Sequence, residues 1–310
     1  MSGKVLIAAP VHEVLTEGLM DAGYELIIRE KISQQEALEL VQACVGIITS
    51  TRLQVNKEMI DAAPRLHWIG RMGSGMEVID VPYATAKGIR CVGSPEGNMN
   101  AVAEHALGLL LSITKRIHHS ASEVAAGKWL RDENRGMELE GKTIGIIGFG
   151  HTGQAFARKL QGFDMNILAY DINPPEKVPD YVTLCADLQP IYEQASIVSF
   201  HVPICNETRH YVNANFLAAM HQRFILLNTS RGEVIDSKTL KNGLVSTKIL
   251  GAGLDVWPEE PLDRMGKEER GILDTIVRLP QVIITPHIAG YSYEAVYKMS
   301  NVLLQKLITN

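Results

Sequence analysis

Lys142-Thr-Ile-Gly-Ile-Ile-Gly148-Phe-Gly150-His-Thr-Gly153-Gln-Ala-Phe-Ala-Arg-Lys-Leu160, continued by Met165-Asn-Ile-Leu-Ala-Tyr170-Asp171, reads as strand, glycine turn, helix and second strand. The run from Thr143 to Ile147 is nearly all apolar, as a strand buried on both faces must be. It leads without a break into Gly148, Gly150 and Gly153. Beyond them Ala155, Phe156 and Leu160 fall on one side of a helix. The second apolar run ends at Asp171, 18 residues past Gly153.

Each part of this unit has a physical role. Gly148 permits a tight turn, Gly150 lets the backbone approach a pyrophosphate, and Gly153 lets the helix pack closely on the strand. Free amides and the helix dipole at His151 and Thr152 attract phosphate. Asp171 can accept hydrogen bonds from both ribose hydroxyls, and its charge repels a 2′-phosphate. No Arg or Lys follows until Lys177, so the expected cofactor is NAD rather than NADP. Upstream, Gly136-Met-Glu-Leu-Glu-Gly141-Lys142-Thr143 matches the phosphate loop of nucleoside triphosphatases. That loop needs a strand before it and a helix after it. Here a charged stretch precedes and a strand follows, so the match is rejected.

The bulk properties narrow the class. A chain of 310 residues forms about two domains. Its net charge of −5 argues against general nucleic-acid binding. Cys44, Cys91, Cys185 and Cys205 are scattered, which reads as reduced thiols in a cytoplasm. The apolar Val5 to Ala9 is interrupted by Pro10, His12 and Glu13, too early for a signal peptide. No apolar stretch approaches the roughly 20 residues that span a bilayer. A cytoplasmic protein without membrane contact is expected. No His-Glu-x-x-His or paired cysteine ligands appear, so no metal is expected.

Along the chain, strands and helices alternate. Residues 1–98 carry strand-like Lys4-Val-Leu-Ile-Ala-Ala, Tyr24-Glu-Leu-Ile-Ile, Val45-Gly-Ile-Ile-Thr, His67-Trp-Ile-Gly and Ile89-Arg-Cys-Val. Helices such as 33–44 and 56–63 lie between them, the pattern of a parallel sheet covered on both sides. One long helix is expected over 100–127, where Ala103, Ala106, Leu107, Leu110, Ile113 and Ile117 recur at steps of three and four. His105, His118 and His119 lie on it and read as packing or exposed residues. After Asp171, strands begin at Ser196, Phe224, Leu250 and Val282, with helices over 187–194, 213–220 and 236–245. Together with the glycine unit these build a doubly wound sheet, whose ligands lie beyond the carboxyl ends of its strands.

Three such ends carry chemistry. Phe224 to Asn228 runs into Thr229-Ser230-Arg231-Gly232, where an arginine can present its planar fork to a carboxylate or ketone oxygen; a surface ion pair is the plainer reading. Leu254-Asp255-Val256 leads to Trp257-Pro258-Glu259-Glu260-Pro261, a stiff turn whose two carboxylates are either functional or merely solvated. Val282 to Thr285 ends at Pro286-His287-Ile288-Ala289-Gly290, placing a histidine at the tip of a buried strand, for function or for packing. Hydride transfer between NAD and a 2-hydroxy acid needs a cation for the carboxylate and carbonyl, an acid/base for the hydroxyl proton, and an anion to orient that base. Arg, Glu and His supply all three.

At this point the chain resembles the D-isomer-specific 2-hydroxyacid dehydrogenase family. Besides the motifs above, the resemblance rests on Gly73-Ser74-Gly75, Pro95-Glu-Gly-Asn98, Ala103-Glu-His105 and Gly127-Lys-Trp129. It implies a Rossmann-type doubly wound parallel sheet over 99–289, binding NAD. A second, smaller flavodoxin-like α/β domain over 1–98, completed by 290–310, would bind substrate. By position, Arg231 matches the substrate-binding arginine, His287 the acid/base, and Glu260, not Glu259, the carboxylate paired with it. Asp255 matches a residue near the nicotinamide carboxamide. Val202, Pro203, Thr229 and Gly290 match cofactor-contacting positions. Ser74 and Gly75 match the backbone amides that hold the substrate carboxylate, beside Arg231 and His287. The resemblance also implies a homodimer.

Within the family the motifs are most similar to phosphoglycerate dehydrogenases, which implies 3-phosphoglycerate and 3-phosphohydroxypyruvate as the substrate pair. A glyoxylate/hydroxypyruvate or D-lactate type reductase is the alternative. An NAD-sensing corepressor-like binding protein is the alternative of another class. Ser50 stands where phosphoglycerate enzymes commonly place an arginine, leaving Arg52, Arg71, Arg131 and Arg135 as candidate phosphate ligands. The sequence ends at Asn310, so no C-terminal regulatory domain and no feedback by serine are expected.

Overall fold

The computed structural model describes residues 3–308; Met1, Ser2, Thr309 and Asn310, at the ends of the region expected to bind substrate, lie outside it. Two compact units appear, one formed by Met1–Ala101 with Gly290–Asn310 and the other by Val102–Ala289. The first crossing therefore falls three residues later than the 98/99 boundary read from the sequence.

The first unit alternates β1 (Lys4–Ile7), α1 (Glu13–Asp21), β2 (Glu25–Ile28), α2 (Gln34–Leu40) and β3 (Cys44–Thr49). It goes on through α3 (Lys57–Asp61), β4 (Trp68–Arg71), α4 (Val81–Ala86) and β5 (Arg90–Gly93). The strands form a parallel sheet in the order β2-β1-β3-β4-β5, the flavodoxin-like order. Helix starts are fixed locally: Ser33 and Glu36 close a capping box at α2, and Asn56 and Asp80 cap α3 and α4. One face of the sheet packs Leu6, Ile47 and Ile69 against Ala37, Met59 and Ala84. The other packs Val5, Ile7 and Trp68 against Met299, Leu303 and Leu304, which come from the last helix.

Helix α5 (Pro95–Thr114) carries the chain out of this unit, and α6 (Ile117–Ala125) follows. The single helix expected over 100–127 is thus two. It starts earlier because Pro95 suits the first turn, where its missing N–H is not needed. It breaks at Arg116, whose φ of +55° is left-handed and ends the ladder. Ala103, Ala106 and Leu110 of the expected apolar face are buried; Ile117, beyond the break, is exposed.

The second unit continues with β6 (Thr143–Ile147), α7 (His151–Leu160), β7 (Asn166–Tyr170), β8 (Val182–Leu184), α8 (Gln189–Gln194) and β9 (Ile197–Phe200). Then come α9 (Ala214–Ala219), β10 (Phe224–Asn228), α10 (Ser237–Val245), β11 (Ile249–Leu254), α11 (Lys267–Ile276) and β12 (Val282–Ile284). Helix α12 (Tyr293–Ile308) belongs to the first unit again. The seven strands are parallel in the order β12-β11-β10-β9-β6-β7-β8. The order reverses at β6, and a Rossmann-type sheet binds its ligand at such a switch point. Two elements escaped the sequence reading. Strand β8 is a three-residue edge with one buried side chain, too short for a period to register. Helix α11 follows an acidic turn that hid its buried Ile272, Leu273 and Ile276.

Candidate active site

Gly148 closes β6 with φ of +90°, and a Cβ on it would lie 2.5 Å from the carbonyl oxygen of His201. A Cβ on Gly153 would come within 2.1 Å of the Gly148 carbonyl oxygen, so α7 sits directly on the turn. Gly150 differs: apart from its chain neighbours, no heavy atom of the described residues lies within 4 Å of the place its Cβ would take. A tight turn, a closely packed helix and an open backbone face between them are what a pyrophosphate requires. His151 and Thr152 open α7, where unpaired amides and the dipole favour an anion. Gly153→Ala is expected to push α7 off the turn, costing about 1–3 kcal/mol. It should also weaken NADH binding at least several-fold; thermal unfolding and a fluorescence titration would register both.

Asp171 is pinned beside this turn. Its Oδ2 accepts from the Phe149 amide at 2.6 Å and its Oδ1 from the Asn173 amide at 2.8 Å. Each carboxylate oxygen keeps a lone pair for a hydroxyl donor. A cavity of about 490 Å³ opens here, lined by Tyr170, Asp171, Ile172, Pro174 and Leu184 among others. Val202 and Pro203 follow β9, and Val202 Cγ1 lies 3.0 Å from the Gly148 Cβ position. Thr229 Oγ1 is buried without a hydrogen-bond partner, an unmet polar group of the kind a ligand satisfies. These residues fit a dinucleotide.

The three strand ends meet at the carboxyl edge of β10, β11 and β12. Past β10, Asn228 Nδ2 donates to the Arg231 carbonyl at 2.8 Å, and Arg231 Nη1 to the Ser230 carbonyl at 2.7 Å. Gly232 permits close approach to the next loop, since a Cβ on it would lie 2.0 Å from the Trp257 carbonyl carbon. The Trp257 amide donates to Glu260 Oε1 at 2.7 Å, and Glu260 Oε2 lies 2.8 Å from His287 Nδ1. Glu259 turns elsewhere and accepts from the Gly266 amide at 2.6 Å. Burial pushes the Glu260 carboxyl up, but hydrogen bonds from His287 and the Trp257 amide, with the charges of His287 and Arg231, outweigh it and hold the group below the ordinary carboxylate value. Guanidinium, carboxylate and imidazole thus act on one another.

Asp255, 1% exposed, stands behind His287 and accepts from the amides of Ile288 and Ala289. His105 and Thr285 join it through their side chains. The sequence places His105 on an apolar helix, where packing or exposure is the expectation, and Thr285 at the end of a strand. His105 lies in the Ala103-Glu-His105 motif, but nothing local shows its pairing with Thr285, because the contact spans 180 residues. Ser74, Gly75 and Gly290 belong to the first unit: Ser74 and Gly75 follow β4, and Gly290 opens the returning segment. Gly73, just before them, has φ of +131° and donates its amide to Ser94 Oγ at 3.0 Å. Among the described residues no group of three or more His, Cys, Asp or Glu is arranged to hold a metal, and no helix is long and apolar enough to cross a membrane.

A Rossmann-type sheet with this glycine turn, and an acid–base pair at its carboxyl edge, defines a dinucleotide-dependent oxidoreductase. The comparisons with known proteins specify it further. Residues 107–289 match the pattern of the D-isomer specific 2-hydroxyacid dehydrogenase, NAD binding domain. The chain is 32% identical over 305 residues to a hydroxypyruvate reductase of Thermotoga maritima, covering 98% of this chain and 97% of that one. It is 33% identical over 307 residues to a D-3-phosphoglycerate dehydrogenase of Methanocaldococcus jannaschii, covering 98% of this chain but only 56% of that protein. The crystal structure of a D-lactate dehydrogenase from Aquifex aeolicus, complexed with NAD and lactic acid, superimposes with a TM-score of 0.84 at 25% identity over 98% of this chain and 94% of that one. The chain belongs to the D-isomer specific 2-hydroxyacid dehydrogenase family. It is an NAD-dependent oxidoreductase acting on a small 2-hydroxy or 2-keto acid.

Proposed function

We propose that this enzyme interconverts a D-2-hydroxy acid and its 2-keto acid, with hydroxypyruvate or its 3-phosphate as the keto form. The observation that carries the reading is the 2.8 Å contact between His287 Nδ1 and Glu260 Oε2, with the Arg231 charge acting on the same carboxylate. Gly148, Gly150, Gly153, His151 and Thr152 would hold the pyrophosphate of NAD, and Asp171 its ribose hydroxyls. Val202, Pro203, Thr229, Asp255 and Gly290 would make its remaining contacts. When bound, NAD supplies or accepts the hydride.

The chain's own groups do the rest. Arg231 binds the substrate carboxylate and polarises the ketone, helped by the backbone amides of Ser74 and Gly75. His287 keeps Nδ1 on Glu260, which leaves Nε2 to deliver the proton to the ketone oxygen and to take it back in the reverse direction. The motifs favour the phosphorylated substrate. Ser50 and Arg71 favour the free acid: Ser50 carries no charge, and Arg71 is buried with Nη1 bonded to the Met72 carbonyl at 2.6 Å.

The experiment is steady-state oxidation of NADH with 3-phosphohydroxypyruvate, hydroxypyruvate, glyoxylate and pyruvate. We expect turnover with one of the first two at least tenfold above pyruvate in kcat/KM, and weaker activity with NADPH. A chain that oxidised NADH with none of the four would refute the proposal. A homodimer through the α6 region is also proposed. Helix α6 buries none of its residues, and Ile117, Val124 and Trp129 on and just after it are exposed. Sedimentation should give about twice 34.2 kDa, and Trp129→Asp should lower it; a monomer at micromolar concentration would rule the dimer out.

A further inference from the structure

Six polar contacts surround the turn that carries His287. The Asp255 carboxylate accepts from the Ile288 amide on Oδ1 at 2.9 Å and from the Ala289 amide on Oδ2 at 2.6 Å. The Asp255 main-chain carbonyl accepts from the His287 amide at 2.8 Å. Thr285 Oγ1 donates to Asp255 Oδ1 at 2.5 Å. Finally, His105 Nε2, from α5, lies 2.9 Å from Thr285 Oγ1 and 3.5 Å from Asp255 Oδ1.

The direction of these bonds follows from valence. A hydroxyl has one proton to give. Thr285 gives it to the carboxylate, which in its ionised form only accepts. The bond between His105 and Thr285 therefore takes its proton from His105 Nε2. A one-way relay results, from imidazole to hydroxyl to carboxylate, and the carboxylate holds the two amides that follow His287.

His287 needs such a hold. Its φ is +55°, a left-handed value that a non-glycine residue rarely adopts and that persists only where the surroundings over-determine it. Glu260 fixes the ring at Nδ1 but does nothing for the backbone beneath it. Asp255 supplies that backbone hold, and it is buried, so its orientation depends on the donors around it. Of these, the hydroxyl of Thr285 is set by His105.

We propose that His105 is a positioning residue for His287: through Thr285 it fixes the Asp255 carboxylate that clamps the turn carrying the acid/base. The same bonds tie α5, just past the crossing at residues 101/102, to the segment that ends at the crossing at 289/290. The inference rests on the reading of His287 as the acid/base.

The test compares His105→Leu, His105→Gln and Thr285→Val in two measurements. One is amide hydrogen exchange at Ile288 and Ala289 in the cofactor-free protein. The other is kcat and KM with NADH and hydroxypyruvate, or 3-phosphohydroxypyruvate if that is the better substrate. His105→Leu and Thr285→Val should speed exchange at both amides roughly tenfold, the size of one buried hydrogen bond, and lower kcat by a similar factor. KM for NADH should change less than kcat, because the glycine turn and Asp171 keep their own contacts. His105→Gln, whose side-chain amide can donate to Thr285, should restore both. Unchanged exchange in His105→Leu overturns the clamp, whatever kcat does. Faster exchange with unchanged kcat overturns the positioning role. His287→Ala in the same assay tests the acid/base reading separately, since its retention of full turnover would remove that reading without touching the exchange result.

Discussion

His287→Ala is expected to lower kcat by about 10²–10⁴ while NADH binds within a few-fold of the unaltered enzyme. The loss should be that large because no other titratable side chain shares its position. Glu260 already accepts from His287 and from the Trp257 amide, and the depressed carboxyl stays ionised at neutral pH, so it has no proton to deliver. Asp255 is buried beneath the turn, with its carboxylate engaged by Thr285 and two amides. NADH binding should survive because the glycine turn and Asp171 stand on β6, α7 and β7, away from β12. Glu260→Gln, which keeps the shape and removes the charge, should cost less than His287→Ala, since the amide can still orient Nδ1. Stopped-flow turnover and fluorescence titration on the two variants would separate chemistry from binding. If His287→Ala retained kcat within a few-fold, the proton would have to come from elsewhere.

What the sequence disclosed, and what it hid, divides along one line. Gly148, Gly150 and Gly153 were legible because each answers a local backbone demand within six residues, and Asp171 because strand and helix lengths fix its distance from them. Arg231, Glu260 and His287 were legible as residue types at strand ends. The choice of Glu260 over Glu259 came only from resemblance; in the structure Glu259 turns to the Gly266 amide. His105 stood in a motif of the resemblance, but its partner was hidden, because a histidine on an apolar helix looks the same whether or not it meets a threonine 180 residues away. The break at Arg116 was hidden too, since a left-handed arginine leaves no mark on the apolar period before it. Local chemistry is written in the sequence; contacts made by folding are not.

His201 is a second hidden residue, and it makes stability pH-dependent. It follows β9 with Nε2 at 2.9 Å from Ser199 Oγ, its ring against Phe156, and Nδ1 buried without a partner. Burial lowers its pKa from 6.5 to about 4. Between those values the unfolded imidazole binds a proton that the folded one refuses, so acid favours unfolding. Above about pH 6.5 both forms are neutral, and the contribution is fully present; it is lost as pH falls toward 4. A shift of this size corresponds to about 3 kcal/mol in all, with on the order of 2 kcal/mol gone by about pH 5. Thermal or urea unfolding at pH 7.5, 6, 5 and 4.5 should therefore show stability falling through a range where most carboxylates are still ionised. His201→Asn, which can still bond Ser199 but does not titrate, should flatten that fall even if it lowers stability at pH 7.5. An equal slope in the two proteins would assign the acid sensitivity to other groups.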